Sequence, residues 1–208
     1  MFSRVILPLF SSLFDFFSAS LCLGCNQESI SLICYPCKNS ISKFPNSSEK
    51  IKYYGYYEGM LREIIHKFKF ENRMKLASFF SELLVEIAPE KCDVVIPVPI
   101  FKQKLKIKKF NPAALVAQEF ARALNKPCLL STLIKTKNTP SQTDLPRSKR
   151  LLNIKNVFAI TDVAGLLSKH IVLIDDVYTT GATLNECLRT FKQNGIDHVV
   201  CLTVARNL

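Results

Sequence analysis

Acidic residues are scarce: 17 Asp and Glu face 28 Lys and Arg across 208 residues, giving a formal charge of +11. With a pI of about 9.3, the chain is suited to polyanionic partners: nucleic acid, phosphorylated substrates or an anionic membrane face. Charge alone does not choose among them. Long apolar runs are also missing. The nearest, MFSRVILPLFSSLFDFFSAS at the start, is interrupted by Pro8 and Asp15 and is too short to span a bilayer as a clean helix. Arg4 ahead of apolar residues imitates a signal peptide, but Leu21 stands where a small residue would precede a lipid-modified cysteine. A structural or interfacial amphipathic helix is therefore expected, with a removed signal as the alternative. The low hydrophobicity of disordered chains is absent too, since 48% of residues are hydrophobic. The length allows one α/β domain of about 150 residues and a small appendage.

Eight cysteines are present, four clustered and four scattered. Cys22, Leu23, Gly24, Cys25 and then Cys34, Tyr35, Pro36, Cys37 form two Cys-x-x-Cys pairs. Each pair offers two thiolates to one tetrahedral ion, as in a structural Zn²⁺ site with four sulfur ligands. Gly24 and Pro36 suit the tight turns such knuckles need. Two redox disulfides or an iron–sulfur cluster are the competing readings, although no βαβ pattern surrounds either pair. Few apolar residues lie between the pairs, so the metal is expected to order this module. Cys92, Cys128, Cys187 and Cys201 sit singly in apolar segments and read as small buried hydrophobes, consistent with a reducing cytosol.

The most informative stretch is IVLIDDVYTTGAT, residues 171 to 183. Four apolar residues make a strand covered on both faces, and Asp175 and Asp176 follow at its carboxyl end, where open α/β sheets place ligands. Thr179, Thr180, Gly181, Ala182 and Thr183 lead into a helical pattern at Leu184, Cys187, Leu188 and Phe191. Free N–H groups at that helix start favour a phosphate. No lysine follows the glycine, so this is not a Walker loop. The plain alternative is an ordinary strand–turn–helix with acids at a solvated end.

Elsewhere, Pro45, Asn46, Ser47 and Ser48 mark a boundary between a 1–45 module and a 46–208 domain. Tyr53, Tyr54, Tyr56 and Tyr57 read as core and strand-face aromatics, with nucleobase stacking as the alternative. Helical spacing from Met60 to Ile87 predicts two helices broken near Glu71 to Arg73, with His66 structural. DVVIPVP predicts a second buried strand. Lys102, Lys104, Lys106, Lys108 and Lys109 then line a basic segment, suited to phosphate or DNA or simply solvated. Asn111 and Pro112 supply a helix N-cap and first position. Strands are expected at 128–134, 157–160, 170–175 and 198–205, with Gly195 ending the last helix. Residues 135–156, carrying Lys149 and Arg150, read as a basic lid over an anion. The alternation of strands and helices implies an α/β fold with a mostly parallel sheet.

Residues 171–183 resemble the phosphoribosyl pyrophosphate (PRPP) loop of type I phosphoribosyltransferases. The wider chain, through the paired CxxC, YEGMLREIIHKFKF, VIPVP, KKFN, the loop with Gln142, Arg150 and Asn153, and the terminal TVAR, resembles the ComF competence family. That resemblance implies a type I phosphoribosyltransferase fold behind a four-cysteine zinc module. It implies that Asp175 and Asp176 hold the ribose hydroxyls and that Tyr178, Thr179, Thr180, Gly181, Ala182 and Thr183 surround the 5-phosphate. Mg²⁺ would accompany PRPP, with Lys109 and Arg150 at its pyrophosphate. Lys102, Lys104, Lys106, Lys108 and Lys149 are the candidate contacts to single-stranded DNA. The family usually has Arg-Gly-Phe-Asn-Gln where this chain has Lys108, Lys109, Phe110, Asn111 and Pro112. Purine salvage enzymes of the hypoxanthine type carry an acid at the position of Thr179, so that substrate is not expected. The resemblance further implies a role in natural transformation beside DNA-uptake or recombination proteins, in the cytoplasm with peripheral contact at the inner membrane face. The alternative is a working phosphoribosyltransferase with an unidentified acceptor.

Overall fold

The computed structural model describes residues 20–45, 50–103, 105, 109–138 and 156–207. The expected N-terminal helix, the boundary residues 46–49, Lys104, Lys106, Lys108 and the lid residues Lys149 and Arg150 lie outside them.

The module opens with a two-residue ribbon, β1 (Ser20–Leu21) against β2 (Glu28–Ser29), followed by the one-turn helix α1 (Tyr35–Asn39) with Pro36 in its first turn. Next come β3 (Ile51–Tyr56), α2 (Gly59–Phe70), α3 (Leu76–Val85), β4 (Val94–Pro97) and α4 (Pro112–Ala123). β5 (Leu133–Lys135), β6 (Phe158–Ile160), β7 (Ile171–Tyr178), α5 (Ala182–Gln193) and β8 (Val199–Arg206) complete the order. The central sheet runs β3-β8-β7-β4, every neighbouring pair parallel. Ile171, Val172, Leu173 and Ile174 are each at most 1% exposed, because a parallel strand in the middle of such a sheet is covered on both faces.

One face of the sheet packs on α2, α3 and α4. α2 buries Leu61, Ile64, Ile65 and Phe68, the i, i+3, i+4, i+7 stripe of an amphipathic helix. Module residues Cys22, Ile33, Cys37 and Ile41 join this same core. The opposite face holds α5, through Leu184, Cys187 and Phe191, together with Leu133 and Phe158. Asn111 caps α4 by accepting from the Ala113 N–H at 3.2 Å, and its Nδ2 donates to the Val98 carbonyl at 3.0 Å. The cap thereby fixes the entry of α4 to the end of β4; such caps are worth about 1 kcal/mol. Gly195, at φ 76°, follows the end of α5 as expected.

Two expectations change. The 128–134 and 157–160 segments are not further members of the parallel sheet: β5 and β6 pair antiparallel with each other, and Cys128 makes only an isolated bridge to Val95. The two three-residue strands thus flank the basic stretch in sequence and pair with each other. In addition, β7 runs on to Tyr178, which places Asp175 and Asp176 within the strand's second half. Tyr53 and Tyr54 are buried on β3, as core aromatics should be, while Tyr56 and Tyr57 are half-buried. His66 is exposed on the surface of α2 near Glu71. Cys92, Cys187 and Cys201 are buried; Cys128 is half-buried, its thiol pushed up to about 11 by burial.

Candidate functional site

The acid pair takes its shape from the backbone turning around it. Asp175 accepts from the Asp176 N–H at 2.9 Å, and Asp176 accepts from the Val177 N–H at 2.6 Å. The second oxygen of Asp176 meets Lys69 Nζ, from the last turn of α2, at 2.8 Å. Both side chains of that pair are only 19% exposed. Burial works to lower the Lys69 ammonium, but the charge and hydrogen bond of Asp176, then Asp175, hold it above the ordinary lysine value. The Asp175 carboxyl is pushed up to about 7, first by burial and then by the charge of Asp176.

That shift has a sign. A folded-state pKa above the unfolded value of 3.8 means the native chain holds the Asp175 proton that the unfolded chain gives up. The resulting stability is present below about pH 4 and lost as pH rises through about 7. Wild type should therefore lose stability between pH 4 and 7 relative to Asp175→Asn, measured by urea denaturation at both pH values. Parallel curves would contradict the burial of this carboxyl.

Beyond the acids, the chain turns through Thr179, Thr180 and Gly181 into α5. Gly181 adopts φ 74° as the residue before the helix, and the Ala182 N–H is 3.4 Å from Thr180 Oγ1. The Tyr178 ring lies directly over Gly181, so a Cβ there would sit 2.6 Å from Tyr178 Cζ. Tyr178 meets Tyr53 edge-on at 4.9 Å, and the Arg206 guanidinium lies 5.0 Å from the Phe44 and Tyr53 ring centres and 5.6 Å from that of Tyr178. The carboxyl ends of three adjacent strands thus present carboxylates, hydroxyls, helix-start N–H groups and a stacked guanidinium on one edge of the sheet.

The expected site residues fall as follows. Asp175, Asp176, Tyr178, Thr179, Thr180, Gly181, Ala182 and Thr183 form one continuous strand–turn–helix. Lys109 is exposed, in a left-handed backbone at φ 64°, with its N–H bonded to the Leu105 carbonyl at 2.9 Å. Its neighbour Phe110 packs 5.8 Å from Phe68, near the end of α2 that carries Lys69. Lys102 is exposed. Lys69 and Arg206 were not expected. A recess of about 550 Å³ lined by Cys92, Asp93, Lys126 and His170 contains neither acid.

The four-cysteine module forms a second site. The sulfurs of Cys22, Cys25, Cys34 and Cys37 all lie within 4.8 Å of one another, and Cys25 and Cys34 are 3.7 Å apart. Zn–S bonds of about 2.3 Å in a tetrahedron separate sulfurs by about 3.8 Å, so the cluster fits zinc. Cys22 Sγ accepts from the Gly24 N–H at 3.3 Å and the Cys34 N–H at 3.2 Å. Burial alone would raise the Cys22 thiol, but such N–H bonds prevail and hold it at about 6, ready to be a thiolate. Cys37 is raised by burial and the neighbouring sulfurs, which is the repulsion a cation would relieve. A Cβ on Gly24 would meet Met60 Sδ of α2 at 2.9 Å and Cys37 Sγ at 3.0 Å, so glycine lets the knuckle seat against that helix. Lys67 Nζ, also from α2, donates to the Leu23 carbonyl inside the first knuckle at 2.7 Å.

The parallel sheet, the acids in the second half of β7 and the turn into α5, behind a four-cysteine cluster, define an α/β protein with a central parallel sheet and a small cysteine module. Among solved structures it is similar to glutamine PRPP amidotransferase from Bacillus subtilis (20% identity, TM-score 0.44, 62% of this chain and 26% of that one). It is also similar to adenine phosphoribosyltransferase from Leishmania donovani (11% identity, TM-score 0.45, 78% of this chain and 86% of that one). No family model matches. Competence protein F of Haemophilus influenzae is 28% identical over 194 residues, 89% of this chain and 84% of that protein. DNA utilization protein YhgH of Escherichia coli K12 is 28% identical over 83% of this chain and 78% of its own. Competence protein ComFC of B. subtilis is 32% identical over 67% of this chain and 56% of its own. Over most of its length the chain is thus similar to proteins named for competence and DNA utilization.

Proposed function

We propose that the protein serves natural transformation: it binds PRPP with Mg²⁺ at the β7–α5 turn and handles imported single-stranded DNA on the cytoplasmic side. The observation that carries the PRPP half is the acid pair set directly before a hydroxyl-rich, glycine-turned helix start. In this reading Asp175 and Asp176 accept from the ribose hydroxyls. The backbone and hydroxyls from Thr179 to Thr183 take the 5-phosphate, with Tyr178 forming the wall of the turn. Lys109 and Arg150 meet the pyrophosphate, and Mg²⁺ supplies charge neutralisation there when bound. Residues 1–45 form the zinc module and 46–208 the PRPP domain. The names of the relatives, competence and DNA utilization, together with the charge of +11, support the DNA half. Lys102, Lys104, Lys106, Lys108 and Lys149 are its candidate contacts, and DNA-uptake or recombination proteins its candidate partners. Peripheral association with the inner membrane face would involve residues 1–19; among the described residues no helix is long and apolar enough to cross a membrane.

The DNA half is tested by fluorescence anisotropy with a labelled single-stranded oligonucleotide. Affinity should fall steeply and linearly on log–log axes as salt rises, because lysines release counterions from phosphates. A salt-independent affinity would refute electrostatic binding. One observation favours a second reading, transfer of ribose 5-phosphate to an acceptor: Asp175 sits near neutrality, where a group can move a proton in catalysis. Pyrophosphate release with a panel of bases separates transfer from binding.

A further inference from the structure

Lys69 stands out because nothing in the strand–turn–helix motif calls for it. It lies at i+4 from Ile65 on the buried stripe of α2, a position that an apolar residue would ordinarily fill. The stripe fixes the helix's rotation and Phe68, packed on Phe80 at 5.2 Å, fixes its end. The lysine is thereby delivered to the acid pair, 2.8 Å from Asp176 with both partners largely shielded. Burying a lysine is costly unless its charge is answered, and removing one partner of such a pair leaves an uncompensated charge.

We propose that Lys69 is a specificity-determining residue of the acid pair: a resident ammonium that keeps a bare divalent cation off Asp176 and makes the site accept a polyol that carries phosphates. At a pH above the titration of both carboxyls, the acid pair with one ammonium presents a net charge of −1, and without the ammonium −2. The second state attracts a lone divalent cation and repels a phosphorylated sugar; the first disfavours the cation and tolerates the anion. Partly buried charges at such separations are weakly screened, so the difference is felt at the site. Two oxygens of Asp176 are also held, one by Lys69 and one by the Val177 N–H, which fixes the carboxylate before any ligand arrives.

The inference rests on the PRPP reading, and the test separates the two. At pH 8, wild type, Lys69→Met and Lys69→Arg are titrated with PRPP and Mg²⁺ by calorimetry. Each is also titrated with Mn²⁺ alone, followed by electron paramagnetic resonance. Lys69→Met should bind PRPP about tenfold or more weakly, equivalent to about 1.4 kcal/mol, and should take up Mn²⁺ without ligand where wild type does not. Lys69→Arg should resemble wild type in both. Lys69→Gln, neutral but still a hydrogen-bond donor, replaces Lys69→Met if that variant fails to fold. A neutral variant that binds PRPP like wild type, or that loses PRPP without gaining Mn²⁺, overturns the role assigned to Lys69. If wild type itself ignores PRPP, the PRPP reading falls, while the Mn²⁺ contrast between wild type and variant still decides whether Lys69 guards the acids.

Discussion

Stripping zinc with a chelator, or replacing Cys37 with Ser, is expected to melt residues 20–41 while leaving the central sheet folded. Beyond the packing of four side chains on the sheet's core and the contacts from α2, the module has little to hold it. Its regular structure is a pair of two-residue strands and one turn of helix, and its buried residues are Cys22, Ile33, Cys37 and Ile41. Domains below about 40 residues generally need metals, disulfides or partners to fold. Structural zinc can supply an apparent ~10 to 16 kcal/mol in small zinc-finger peptides. Metal analysis should give about one zinc per chain for a four-thiolate site, and hydrogen exchange should show protection at Cys22 and Cys34 vanish on chelation. The effect should reach α2, since the Lys67 bond to the Leu23 carbonyl and the seat of Met60 on Gly24 both depend on the knuckle. A metal-free module that keeps its protection would contradict this view.

Gly181→Ala is expected to destabilise the protein by about 2 to 5 kcal/mol and to abolish PRPP binding. Two physical costs add. The left-handed backbone at φ 74° penalises any side chain by about 1 to 2 kcal/mol. The new methyl would also fall 2.6 Å from Tyr178 Cζ, an overlap of the kind that costs about 1 to 3 kcal/mol. The ring cannot easily retreat, because Tyr53 and Arg206 pack against it. Pairing the change with Tyr178→Ser should recover the steric part and leave the conformational part, a difference measurable by denaturant titration. If Gly181→Ala is as stable as wild type, the tight turn described here is wrong.

Much of this was legible from local pattern. The buried run 171–174, the two helices between Met60 and Ile87, the Asn111–Pro112 cap and the doubled Cys-x-x-Cys each follow rules confined to neighbouring residues. What was not legible depends on contacts distant in sequence. Lys69 read as one more base in a helix, and only the docking of α2 on the sheet sets it against Asp176, although a lysine on the apolar stripe was a signal available to be read. Arg206 belonged to a strand's end, and its stacking on Phe44, Tyr53 and Tyr178 needs three separate segments. β5 and β6 looked like members of the main sheet because period and composition do not say which strands pair. Lys109 illustrates the reverse: it holds a left-handed backbone at φ 64°, which its residue type does not announce, and the conformational cost is accepted locally.

The central claim is that the β7–α5 turn is a PRPP site, and calorimetric titration of PRPP with Mg²⁺ into wild type and Asp175→Ala/Asp176→Ala tests it most directly. The expected result is saturable, Mg²⁺-dependent binding to wild type that disappears in a folded double variant. Identical isotherms for the two proteins, or no heat from wild type at millimolar PRPP, would contradict it.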